Sequence, residues 1–67
     1  MLRQPSVITL EIAQLAGRIE GEQAANGIGI PFEDLVIGST ALYHAFDVVT
    51  NNLRHFQLIP GLNAVTP

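Results

Sequence analysis

Within the run from Ile30 to Leu62, IPFEDLVIGSTALYHAFDVVTNNLRHFQLIPGL, Asp34 stands at the start of a nearly all-apolar helix and the polar cluster Thr50, Asn51 and Asn52 ends a short strand. Carboxylate, hydroxyl and amide oxygens are the donors a hard divalent cation takes, and the carboxyl end of a strand is where α/β folds place ligands. On a helix Asp34 shares a face with Ile37, Gly38 and Ala41, so it points inward while its neighbour Glu33 points to solvent. An inward carboxylate needs a partner, and a hard cation is one candidate. The plainer reading makes Asp34, like Glu33, an acid in a first turn, welcomed by unpaired N–H groups and the positive end of the helix dipole. Asn52 has a plain reading as well, as N-cap of a short helix from Leu53 to Phe56. His44 and His55 do not have the spacing of a zinc pair, and the chain has no cysteine to complete one. His44 suits the last turn of its helix, and Tyr43 and Phe56 are too sparse for a base-stacking platform and read as core.

The elements that must hold these residues are marked by period and punctuation. From Thr9 the apolar residues Ile12, Leu15, Ala16, Ile19 and Ala24 recur at helical spacing, with Glu11, Arg18, Glu20 and Glu22 elsewhere, which predicts an amphipathic helix. Thr9 is its expected N-cap and Asn26-Gly27 its stop. Gly17 and Gly21 lie four apart, a spacing that admits close approach of another backbone. Pro31 suits the first turn of a second helix running to His44. Leu35, Val36, Ile37, Ala41, Leu42 and Ala45 cover nearly every side of that helix, which makes it a core element, and the small residues 38–41 allow it to pack tightly against a sheet. Residues 46–50 predict a strand, 53–56 a short helix, Pro60-Gly61 a turn and 62–65 an edge strand. Met1 to Ile8 shows no clear period and reads as a lead-in. The order predicts an α/β fold: two helices, short strand, short helix, edge strand.

Composition restricts the function classes. The chain has 67 residues, 48% of them hydrophobic and only 13% charged, an apolar balance for so small a domain, whose faces expect something to cover them. With no cysteine, disulfide staples and thiolate metal sites are excluded. The net charge is −3, and Arg3, Arg18 and Arg54 are the only permanent cations, so no basic stripe exists to neutralise nucleic-acid phosphates. No apolar run has the length of a membrane span, the first residues lack the pattern of a secretory signal, and the default location is the cytoplasm.

Pro31, Asp34, the run Ile37 to Leu42, Val48 to Thr50, Asn52, Phe56 and Pro60-Gly61-Leu62 together resemble the C-terminal half of a PIN domain of the VapC-like toxin type, and the helix carrying LAGRIEGEQ resembles the one that precedes that segment. The resemblance spans nearly the whole chain. It implies a metal-dependent endoribonuclease of a toxin–antitoxin system, in which clustered acids hold magnesium or manganese. Mapped onto this sequence it assigns Asp34, Asn52 and Thr50 to the catalytic site and Asp34 and Asn52 to the metal. It also implies a cognate antitoxin and an RNA substrate.

This chain departs from that pattern. Asn52 is an amide where relatives often carry an acid, His55 stands at a position often acidic, and the family's first-strand Asp, with the strand and helices that follow it, has no counterpart before Thr9. The expectation is therefore a partial PIN-like domain over residues 9–67, lacking the N-terminal strand and helices and inactive alone: either a truncated toxin remnant, or an enzyme completed by a separate N-terminal half or by self-association. One carboxylate and one amide carry too little charge for magnesium. The contrasting reading is a small noncatalytic interaction module that uses the apolar helix 32–44.

Overall fold

The computed structural model describes residues 9–67; the lead-in expected over residues 1–8 lies outside the described residues. Helix α1 (Leu10–Ala25) starts where the sequence says it must. Thr9 is extended and its Oγ1 accepts a hydrogen bond from the Ile12 N–H at 3.2 Å, satisfying one of the orphan donors of the first turn. The helix ends in a Schellman closure, with Gly27 at φ 77, the Gly27 N–H on the Ala24 carbonyl and the Ile28 N–H on that of Gln23. Ile12 and Ile19 are buried along one face, and Leu15 and Ala16 pack beside them.

Helix α2 (Phe32–Tyr43) follows, with Pro31 at the N-cap position instead of inside the first turn. Leu35, Gly38, Ser39 and Ala41 form its buried face. The expectation of an all-round core helix is corrected: Phe32 and Ile37 are 73% and 52% exposed, so one flank is uncovered. Tyr43, read as core, is also exposed, while Phe56 is buried. The helix stops one residue early because Ala45 adopts φ 60 and the Phe46 N–H turns back to the Ala41 carbonyl at 2.7 Å, leaving His44 as the C-cap.

That closure also shortens the strand. With the Phe46 N–H committed to the helix end, β1 is only Val48–Val49, not 46–50. Helix α3 (Leu53–Phe56) then crosses to β2 (Ala64–Val65), which is shorter than 62–65 because the Leu62 N–H is held in a turn by Ile59, with Gly61 at φ 84. The strands pair in parallel, Val48 opposite Ala64 and Val49 opposite Val65. The result is a mixed helical structure with a two-stranded parallel sheet, consistent with the α/β expectation.

Ile19, Leu35, Ala41, Val48, Phe56 and Ile59 make the core, joining α1, α2, β1 and the α3 segment. Gln23 reaches across to the Leu58 carbonyl at 2.6 Å, tying α1 to the chain after α3. Gly38 packs tightly, as its type predicts, but against the Ile59 side chain instead of a sheet, and a Cβ there would also lie 3.3 Å from Leu62. Gly17 and Gly21, by contrast, face open space, so no backbone approaches them among the described residues.

Two comparisons test this packing. Gly17→Ala is expected to stabilise by about 1 kcal/mol, the ordinary gain for a mid-helix glycine, whereas Gly38→Ala forfeits that gain to overpacking and lowers the urea midpoint. Ser39 is fully buried and its Oγ has no hydrogen-bond partner among the described residues. Ser39→Ala is expected to be neutral or to stabilise by up to about 3 kcal/mol, read as a raised urea midpoint, because it removes an unsatisfied polar atom; a clear loss of stability would contradict this.

Candidate functional site

Asp34 lies in the first turn of α2, where Glu33 and Asp34 both meet the exposed N–H groups of the helix start. Glu33 is exposed, and the Asp34 side chain is only 16% exposed, which matches the inward orientation expected from the helical face. Its partner is an imidazole. His55 Nδ1 lies 2.7 Å from Asp34 Oδ2, and since a carboxylate only accepts, the hydrogen sits on Nδ1. His55 is on α3, whose position is set by burial of the next residue, Phe56, in the core and by the parallel crossover into β2. Its side chain is 42% exposed, so the pair faces solvent on the histidine side and protein on the aspartate side.

Thr50 and Asn52 have backbone roles in the link between β1 and α3. The Thr50 N–H donates to the Val65 carbonyl at 2.9 Å, extending the ladder past β1, and the Thr50 Oγ1 accepts from the Asn52 N–H at 2.9 Å. This closes a hydroxyl turn and fixes where α3 begins. Asn52 occupies the N-cap position, but its side chain makes no capping hydrogen bond, which corrects the plain reading of it as a side-chain cap. The reason is in the backbone: ψ is 49 at Asn52 against 167 at the true cap Thr9, and a capping side chain needs the extended conformation. The Asn52 side chain is left exposed, with its amide free of α3.

The structure thus joins Asp34 to His55, a residue that sequence spacing did not single out. The pair is separated by 21 positions, and no helical or strand period links them. The available signal was the inward carboxylate itself, which required some donor. His44 takes no part; its ring stacks on Phe46 and meets Tyr43 edge-on. Among the described residues no group of three or more histidines, cysteines, aspartates or glutamates lies close enough to hold a metal ion.

Over 57 residues, 85% of its length, the chain is 33% identical to Ribonuclease VapC19 of Mycobacterium tuberculosis, from strain CDC 1551 / Oshkosh and equally from strain ATCC 25618 / H37Rv. The chain is VapC-like. It spans about half the length of these curated relatives, 46% of each. No protein-family model matches the VapC-like chain, and no solved structure matches it. Among its described residues no helix is long and apolar enough to cross a membrane.

The hydrogen-bond geometry is open to measurement. In the native chain, long-range proton–nitrogen correlation spectra of His55 should report the Nδ1–H form, and Asp34→Ala, which removes the acceptor, should shift the ring away from it. An unchanged ring signal would show that the pair does not form.

Proposed function

We propose that this chain contributes part of the active site of a cytoplasmic, VapC-like endoribonuclease of PIN fold, acting in a toxin–antitoxin system. The observation that carries the reading is the similarity to a named ribonuclease over 85% of the chain, together with an inward Asp34 at the head of α2. Asp34, Asn52 and Thr50 are the residues this chain brings to the site: Asp34 a positioned carboxylate, Asn52 an exposed amide, and Thr50 the hydroxyl that sets the turn from β1 into Asn52.

A family nuclease of this kind uses magnesium or manganese, which neutralises phosphate charge and activates water. The described residues do not fit such an ion by themselves. Asp34 already accepts from His55, and magnesium bound by protein normally takes carboxylates along with its waters, whereas Asn52 offers only a neutral amide. In this proposal Asp34 and Asn52 are ligand positions that acquire a metal only when further acids are supplied by a complementing segment. The chain alone is inactive, RNA is its substrate only in the completed protein, and a cognate antitoxin is the expected partner.

The contrasting reading, a noncatalytic binding module, is favoured by one feature, the exposed Phe32 and Ile37 on α2.

A chimera separates the two. The residues of Ribonuclease VapC19 that this chain does not match would be fused to it, and RNA cleavage followed with magnesium or manganese. The expected result is cleavage by the chimera and none by the 67-residue chain, with Asp34→Asn lowering the chimera's rate by about 100-fold or more, at least the loss typical of disturbed metal-site residues. Cleavage that survives Asp34→Asn unchanged would remove Asp34 from the site. A chimera without activity, whose partner binding is abolished by Ile37→Asp, would establish the binding module instead.

A further inference from the structure

We propose that His55 competes with divalent cations for Asp34 in this chain, so that residue 55 decides whether the head of α2 presents a hydrogen-bonded pair or a cation ligand. Asp34 Oδ2 lies 2.7 Å from His55 Nδ1, within the range of a charge-assisted hydrogen bond. The hydrogen on Nδ1 takes one of the lone-pair directions of Oδ2, so a cation that grips both carboxylate oxygens must displace the imidazole, and one that binds Oδ1 alone shares the carboxylate charge with that donor. The aspartate is largely withdrawn from water, at 16% exposed, which strengthens its attachment to the donor it already has.

The surroundings offer a cation little compensation. Glu33, the nearest acid in sequence, is exposed on another side of the helix, and no cluster of three metal-binding side chains occurs among the described residues. The imidazole is held in place from behind, since Phe56 beside it is anchored in the core and the α3 start is fixed by the Thr50 to Asn52 turn. Swinging His55 away therefore means breaking a good hydrogen bond without a second carboxylate to receive the ion. His55 acts through Asp34 and is a positioning residue.

This inference concerns the chain by itself and stands apart from the nuclease proposal, because its readout is metal binding and not cleavage. Manganese is added to the labelled chain, and paramagnetic broadening of the amides near residues 34 and 55 is followed by NMR. The expected result is no selective broadening in the native chain, weak broadening at Asp34 in His55→Ala, and broadening at both positions in His55→Asp. The apparent affinity in His55→Asp is expected to be at least about tenfold above that of His55→Ala, since ligand charge count sets affinity at such oxygen sites. Adding Asp34→Asn to either variant is expected to abolish the effect. Selective broadening at Asp34 in the native chain would overturn the inference, whatever the variants do. So would a folded His55→Ala chain that binds manganese no better than the native one. His55→Ala removes atoms from a partly exposed side chain, so it keeps the question answerable even if the second carboxylate at 55 prevents folding.

Discussion

Everything distal to α2 depends on the contact between Gly38 and Ile59. Because Gly38 has no side chain, Ile59 can enter the face of α2 between Leu35 and Ala41 and become almost completely buried. That docks the segment after α3 onto the helix, with Gln23 of α1 fastening the adjoining Leu58 carbonyl from the other side. The short helix α3 has few internal hydrogen bonds of its own and too little length to be stable in isolation. Its place is set by burial of Phe56 and Ile59 at its end and by the turn at Thr50 at its start. Once these are in place, His55 is carried to within hydrogen-bond reach of Asp34.

The site is therefore a product of packing instead of local sequence. Asp34 is delivered by a helix whose N-terminus welcomes acids, and His55 by a helix positioned through its hydrophobic neighbours. The pair links α2 to α3 at the surface above the core. Ser39, a few residues further along the same helix, is fully buried and its hydroxyl finds no partner among the described residues. Small size explains its presence there better than polarity does, since it lies next to Gly38 on the face that α2 must keep thin.

The parallel pairing of two strands of two residues each is a sparse sheet. Parallel sheets are normally covered on both faces, yet Val49 and Val65 are 64% and 43% exposed. In β1 the N–H groups of Val48 and Thr50 point to β2, so that of Val49 points to the opposite edge. Phe32 and Ile37 on α2 are exposed as well. These apolar groups are the physical counterpart of the chain's high hydrophobic and low charged content, which already suggested faces in need of cover.

Much of the architecture was legible in the sequence by itself. The helical period from Ile12 to Ala24, the Thr9 cap and the Asn26-Gly27 stop define α1 because each is a local signal read within one or two turns. The same is true of the start of α2, the short helix at 53–56 and the Pro60-Gly61 turn, and the inward orientation of Asp34 followed from helical geometry alone. Strand lengths were not legible, because they were decided by which N–H groups had already been taken: Phe46 by the end of α2 and Leu62 by the turn at Ile59. Nor was the exposure of Tyr43 and Ile37, since a hydrophobic side chain is buried only if another element arrives to cover it. The partner of Asp34 belongs to the same class. Sequence chemistry required a donor for an inward carboxylate, but only the tertiary packing of Phe56 and Ile59 could select His55, because no local periodicity connects residues that approach each other solely through the core.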